Sequence, residues 1–295
     1  MKKKALFIIN PVSGGKKKDG VPALIKKHLD TNLFDYTIVY STIEKPIRAI
    51  AKEAMANIDI IVAVGGDGTV NEIASAIAGT EKVLGIIPYG SGNGLSRFLK
   101  IPMDPVKAIQ NINKTRTEVM DAGKVNGQWF FNMAGVGFDA HISEVFSHGK
   151  HRGFKSYFES SVKEISNYKA QYYHIDIDGE VYEREIFMLC FANSSQFGNN
   201  AHVSPDASLH DGLIDVVFVK QFPVIRLLEM GLRMLTKQVE SSKYVEIKRG
   251  SHIKVTRRGP GPLHLDGEPQ IIGPELEIKV VPNSLKVIVG ADYKP

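Results

Sequence analysis

The chain has 295 residues, 43% of them hydrophobic and 23% charged, with 37 Lys and Arg against 32 Asp and Glu. That composition excludes collagen-like, coiled-coil and disordered classes, and the length suits two domains. The longest apolar run, Ile186 to Ala192, is far short of the ~20 residues of a spanning helix, and the single cysteine, Cys190, excludes a disulfide framework or a multi-cysteine metal site.

The first elements alternate in type. Lys2, Lys3 and Lys4 precede Ala5 to Ile9, an apolar stretch too short for a signal core and read as a first buried strand; a cytoplasmic protein is expected. It ends in Asn10-Pro11-Val12-Ser13-Gly14-Gly15. A helix over Val21 to Leu29, a strand over Tyr36 to Tyr40 and a helix over Pro46 to Met55 follow. Ile58 to Val64 is rich in β-branched residues, as in a strand covered on both faces of a parallel sheet. Gly65-Gly66-Asp67-Gly68 leads into a helix from Thr69 to Ala78, and a strand over Val83 to Ile87 runs into Pro88-Tyr89-Gly90-Ser91-Gly92-Asn93-Gly94. This order predicts an α/β domain with a doubly wound parallel sheet.

Near Thr115 the pattern changes to strands: Trp129 to Met133, Tyr172 to Asp176, Val181 to Phe191, Ile214 to Val219, Tyr244 to Lys248, Ile253 to Thr256 and Leu276 to Val280. Asp178-Gly179 is a hairpin turn signal. Helices are expected over Lys155 to Ser166 and Val224 to Lys237. The division expected is 1–121 for the α/β domain and 122–281 for a mostly antiparallel one, with 282–295, including a strand over Leu285 to Val289, returning to the first. Cys190 lies in an apolar run and reads as a buried thiol.

Three glycine-rich loops, Asn10 to Gly15, Gly65 to Thr69 and Gly90 to Gly94, follow three strands of one predicted sheet. Ligands bind at the carboxyl ends of such strands, where glycines let backbone N–H groups approach a phosphate. Neither G-x-x-x-x-G-K-[ST] nor G-x-G-x-x-G is present. Asp67 inside a phosphate cradle points to cation handling or proton abstraction, or else caps the helix beginning near Thr69.

Gly65-Gly66-Asp67-Gly68-Thr69-Val70-Asn71-Glu72 resembles the signature of the diacylglycerol kinase catalytic domain family, which includes sphingosine and ceramide kinases. Asn10-Pro11 with Ser13-Gly14, Pro88-Tyr89-Gly90-Ser91-Gly92-Asn93, Asp211-Gly212-Leu213-Ile214-Asp215 and Asp266-Gly267-Glu268 resemble four further motifs of that family, in its order. The resemblance implies an ATP- and Mg²⁺-dependent lipid kinase, with an α/β nucleotide domain, a β-sandwich lipid domain and an active site between them. It implies nucleotide binding by Asn10, Pro11, Val12, Ser13, Gly14, Ser41, Thr42, Gly65, Gly66, Asp67, Gly68, Thr69, Val70, Asn71, Ser91 and Asn93. It implies a structural Mg²⁺ on Asp211 and the backbone oxygens of Ser208 and Leu213, and a proton acceptor at Asp266 or Glu268, with Asp67 a candidate from the sphingosine kinases. Gly94 stands where bacterial diacylglycerol kinases usually carry an aspartate.

Asp121 is a further carboxylate to place near the substrate, or a turn residue. Side chains two apart on a strand face one way, so Asp266 and Glu268 are expected side by side facing the site; the alternative is that Asp266-Gly267 marks a hairpin turn and Glu268 is solvated. NAD kinases share Gly-Gly-Asp-Gly-Thr and form the enzyme alternative; a binding regulator without turnover is the other. The partner expected is a lipid at the inner membrane surface, with homo-oligomers compatible and nucleic acid not expected, since basic residues are not interleaved with aromatics. Val224 to Lys237, with Arg226, Glu229, Arg233 and Lys237 on one face, reads either as an interfacial membrane helix or as a helix packed on the β-domain.

Overall fold

The computed structural model describes residues 2–15, 17–147, 164–165 and 167–295. These form two compact units, 1–120 with 283–295, and 121–282. The helix expected over Lys155 to Ser166 falls, but for Glu164 and Ile165, outside the described residues.

In the first unit, β1 (Lys3–Ile9), α1 (Val21–His28), β2 (Phe34–Tyr40), α2 (Ile47–Ala54), β3 (Ile60–Gly65), α3 (Asp67–Ile77), β4 (Val83–Pro88), α4 (Gly94–Phe98) and α5 (Pro105–Asn113) follow in turn. The sheet is parallel with order β2-β1-β3-β4. Every residue of β3 is buried, which is why its run of Ile and Val shows no alternation. Because the chain runs outward from β1 to β2 and then returns to β3, the order reverses between β1 and β3. That reversal opens a crevice at the carboxyl ends of the two strands. Loops one and two leave those ends. α5 begins where its cap chemistry requires: the Asp104 side chain accepts from Lys107 N at 2.9 Å and Pro105 opens the helix.

The second unit carries β5 (Thr117–Val125), β6 (Gln128–Phe130), β7 (Met133–Gly137), α6 (Phe138–Ser147), β8 (Gln171–Ile177), β9 (Glu180–Ile186), β10 (Met188–Ala192), β11 (Gln196–Gly198), β12 (Ala201–His202), β13 (Ile214–Val219), α7 (Leu227–Leu235), β14 (Val245–Gly250), β15 (His252–Arg257), β16 (Gly261–Leu265), β17 (Glu268–Ile272) and β18 (Glu275–Ile288). β5 starts, and β18 ends, in the first unit, where Lys286 and Val287 pair in parallel with Val83 and Leu84 of β4. One antiparallel sheet has the order β14-β13-β10-β7-β16-β17; β18, β15, β8 and β9 pair antiparallel in a second. Leu189 and Phe191 of β10, with Val216 and Phe218 of β13, share a core with Tyr173, Ile175, Ile253 and Val255 of the second sheet. Their neighbours Cys190, Val217 and Val219 face a separate core with Phe138, Ile142 and Met230 of the helices. Both faces are therefore covered, and these strands are apolar throughout.

Three expectations are corrected. Trp129 to Met133 is not one strand: β6 ends at Phe130 and β7 starts at Met133, because the amides between them turn to a buried carboxylate. Val181 to Phe191 divides at Phe187 into β9 and β10, which belong to different sheets. The two strands expected over Leu276 to Val280 and Leu285 to Val289 are one, β18, with Asn283 in the left-handed region at φ 51°.

Candidate active site

The three loops of the first unit interlock through their backbones. Gly14, at φ 67°, lies so close to loop three that a Cβ would stand 1.8 Å from the Tyr89 carbonyl oxygen. A Cβ on Gly90 would stand 2.6 Å from Gly66 Cα. Only glycine allows both approaches. Asn10 Nδ2 donates to Thr69 Oγ1 at 3.1 Å, joining loop one to α3. Asn93, left-handed at φ 51°, folds its amide back on Gly90: Oδ1 accepts from Gly90 N at 2.9 Å and Nδ2 donates to Gly90 O at 2.8 Å.

Asp67 stands at the first position of α3 and does not cap its own helix. Its Oδ2 accepts from Asn93 N and its Oδ1 from Gly94 N, both at 2.9 Å, so it clamps loop three at the start of α4. Gly94 takes part through its N–H. α3 opens at Gly66 without a side-chain cap, which leaves its positive end toward the loops. Thr69 and Val70 are buried, Gly68 and Asn71 half-buried, and Ser91, Pro11 and Val12 exposed. Ser13 and Asn71 accept from Lys18 and Ser75 respectively, the first through its carbonyl. Ser41 is buried at the end of β2, and Thr42 Oγ1 accepts from Lys45 N.

Lys18 was not among the residues expected here. Its side chain is buried, its Nζ donates to Ser13 O at 2.5 Å and lies 5.6 Å from the Tyr89 ring centroid, and burial lowers its pKa. It places a cationic group against loop one. The Lys16-Lys17-Lys18 run was the only sequence signal for it.

In the second unit one buried network ties three predicted sites together. Asp121 donates its N–H to Leu209 O at 2.8 Å and accepts from Gly212 N at its Oδ2 at 2.9 Å, so it holds the 208–213 loop. Asn193, fully buried, donates Nδ2 to Asp121 O at 3.0 Å and to Phe131 O at 2.8 Å. The amides of Phe131, Asn132 and Met133 converge on Asp266: the shortest contacts are 3.0, 2.8 and 3.0 Å. Asp266 is thus a buried acceptor occupied by three backbone donors.

Asp266 and Glu268 do not lie side by side on a strand. Leu265 pairs with Glu268, and Asp266-Gly267, at φ 50° and 88°, form the two-residue turn between β16 and β17. Asp266 turns inward and Glu268, first in β17, is exposed. Beneath the turn, His264 Nδ1 accepts from Gly267 N at 3.3 Å, and its Nε2 meets Asp139 Oδ2 at 2.9 Å. Cys190 Sγ donates to the same Asp139 oxygen at 3.1 Å; burial, and then that carboxylate, push its thiol well up. His264 and Asp139 escaped the sequence reading because each is flanked by apolar residues, and Asn193 because it opens a polar Asn-Ser-Ser-Gln run that matches no motif.

Asp211 is exposed, and its Oδ1 accepts from Leu213 N at 3.0 Å; Ser208 Oγ accepts from His210 N at 3.2 Å. One carboxylate with the carbonyls of Ser208 and Leu213 is an all-oxygen donor set of the kind Mg²⁺ takes with water completing it. Among the described residues no group of three or more His, Cys, Asp and Glu is gathered for a metal. Asp215 is placed elsewhere: burial raises its pKa, against hydrogen bonds from Ser204 Oγ at 2.5 Å and Arg249 Nε at 3.0 Å.

Comparison with known proteins agrees with this layout. The diacylglycerol kinase catalytic domain profile matches residues 4–125, and the YegS C-terminal NAD kinase beta sandwich-like domain profile matches residues 132–289. A diacylglycerol kinase of Staphylococcus saprophyticus is 32% identical over 91% of this chain and 90% of its own; one of Bacillus subtilis is 28% identical over 90% of each. The crystal structure of a diacylglycerol kinase from Bacillus anthracis superposes with a TM-score of 0.76 at 21% identity, covering 99% of this chain and 98% of that one, a likeness of fold. With both domain profiles matched in order along nearly its whole length, the chain belongs to the diacylglycerol kinase catalytic domain family of lipid kinases.

Proposed function

We propose that the protein transfers the γ-phosphoryl group of ATP to a hydroxyl of a lipid alcohol, a diacylglycerol or a sphingoid or ceramide-like lipid, with Mg²⁺. The observation that carries this reading is the interlock of loops one, two and three at the carboxyl ends of β1, β3 and β4. The glycines there leave space close to the backbone, and the start of α3 has no side-chain cap, which supports a reading in which a phosphate is held at these loops. In the reaction the lipid oxygen bonds to the γ-phosphorus, the bond to the β–γ bridging oxygen breaks, and ADP leaves. The hydroxyl proton passes to Glu268, whose exposed carboxylate is the candidate with room to accept it. Asp266 and His264 are positioning residues that hold the turn carrying Glu268. Asp67 shapes loop three, and Lys18 offsets phosphate charge beside loop one. Asp211, with the Ser208 and Leu213 carbonyls, would hold a structural Mg²⁺, and Mg²⁺ on the nucleotide supplies neutralisation of the phosphoryl charge.

The test is a kinase assay with labelled ATP against diacylglycerol, ceramide, sphingoid bases, monoacylglycerol, phosphatidylglycerol and undecaprenol in mixed micelles. Labelled phospholipid is expected with one of these and loss of label on chelation. Phosphorylation of NAD with no lipid product would overturn the reading. For the metal, Asp211→Ala is expected to abolish the rise in melting temperature that Mg²⁺ gives the parent protein; an unchanged response in that variant removes Asp211 from the site.

A further inference from the structure

α7 and the 3₁₀ turn before it, Val224–Arg226, carry three separate stripes. Leu227, Met230 and Met234 pack on the helix-side core of the second unit. Arg226, Glu229 and Arg233 form a second stripe, with Arg226 Nη1 at 2.7 Å and Arg233 Nε at 3.0 Å from the Glu229 carboxylate. The third stripe is apolar and faces water: Ile225 is 87% exposed, Leu228 74%, Leu232 54% and Leu235 55%. Their spacing of three, four and three residues sets them on one helix face. Among the described residues, every exposed large hydrophobic side chain carried by a helical segment lies here. Burial in the core accounts for the first stripe and leaves this one unexplained.

The surroundings favour one occupant. Between residues 220 and 243 five cations, Lys220, Arg226, Arg233, Lys237 and Lys243, stand against two carboxylates, Glu229 and Glu240. Aliphatic side chains flanked by Lys and Arg match the layering of an anionic bilayer, where the apolar tips enter the acyl region and the cations meet phosphate. An open hollow lined by Ile165, Gln221, Phe222, Pro223 and Val224 lies at the N-terminal end of the stripe.

We propose that Ile225, Leu228, Leu232 and Leu235 form an interfacial anchor that seats the second unit on an anionic lipid bilayer. The proposal rests on the lipid-kinase reading only for its purpose, since that substrate resides in a bilayer; the contact itself is testable without turnover. The experiment is flotation of the full chain with phosphatidylcholine vesicles, with and without phosphatidylglycerol. The parent is expected to float with the anionic vesicles, less in high salt. Leu228→Glu with Leu232→Glu is expected to cut the bound fraction at least about tenfold, because two side chains leave the apolar layer. Val181→Glu, at a strand position 57% exposed, is expected to float like the parent. Circular dichroism melts check folding, and Leu228→Gln with Leu232→Gln repeats the test without added charge. A parent that does not float, or a folded double variant that floats as the parent does, overturns the anchor. So does light scattering that shows a dimer lost in the double variant while flotation is unchanged, since a second copy then covers the stripe. Flotation as expected from a protein that phosphorylates NAD and no lipid would uphold the anchor and sink the function proposed above.

Discussion

Two turns of the second unit are spelled alike and used differently. Asp178-Gly179 joins β8 to β9 and Asp266-Gly267 joins β16 to β17, each with both residues at positive φ. Each aspartate spends its carboxylate on amides of another segment: Asp178 accepts from Ser251 N at 2.8 Å, His252 N at 2.9 Å and Ser251 Oγ at 3.1 Å. The difference is the solvent. Asp178 is exposed and water can replace its partners; Asp266 is 7% exposed and the amides it serves are buried. The same dipeptide is therefore a plain hairpin at one edge of the unit. At the other it is the fixed mount of an exposed carboxylate, Glu268.

The largest effect expected from this contrast is on stability. Asp266→Ala leaves three buried N–H groups without their acceptor, at about 1–3 kcal/mol each before relaxation, so urea unfolding should show a loss of at least about 3 kcal/mol. Asp266→Asn keeps one acceptor oxygen and should lose less. A loss no larger than that of the Asp178 variant would mean that burial does not separate the two turns.

Next in size is a kinetic effect without a stability effect. Glu268→Gln should lower kcat by ~10²-fold, in the range of a lost general base, with ATP KM and melting temperature nearly unchanged. Steady-state kinetics beside a thermal melt reads both. A variant with near-normal kcat leaves Asp266-Gly267-Glu268 as only a hairpin, like its counterpart.

Asp178→Ala should cost about 1 kcal/mol, the ordinary worth of a solvent-accessible hydrogen-bonding group, and leave turnover alone. The smallest effect is a pH dependence. Burial alone would raise the Asp178 pKa, but hydrogen bonds from Ser251 and His252 outweigh it and hold the carboxyl below its ordinary value of 3.8. A depressed carboxyl stabilises the fold above that value and ceases to as pH falls through the folded pKa. The stability gap between parent and Asp178→Asn should therefore narrow by a few tenths of a kcal/mol on acidification below about pH 4, given the exposure of the site. A gap that widens in acid would refute the assigned sign.

Much of the first unit was legible in order. β3 shows itself by an unbroken β-branched run, and the loops by glycines placed after strands. The role of Asp67 was not legible: helix-start chemistry suggests a cap, yet its partners are Asn93 and Gly94, 26 and 27 positions away. In the second unit periodicity read several strands, missed β5, β16 and β17, and did not read the strand ends. Trp129 to Met133 is strand-like throughout, and only the pull of Asp266 on three successive amides divides it. α7 was half legible: its polar stripe follows from spacing, while an apolar residue gives no sign by itself of whether core or water lies outside it.

The sequence by itself determined the α/β alternation, the glycine loops and the left-handed Asp178-Gly179 turn. Each depends on side-chain volume, backbone freedom or hydrophobic period within a few neighbouring residues. Only the tertiary structure decided which carboxylates are occupied and which are open. Asp266 meets amides some 133 to 135 positions earlier in the chain, whereas Glu268, two residues away, is left at the surface. Burial and hydrogen-bond satisfaction are properties of what folding brings together from afar, and no local pattern of residues encodes them.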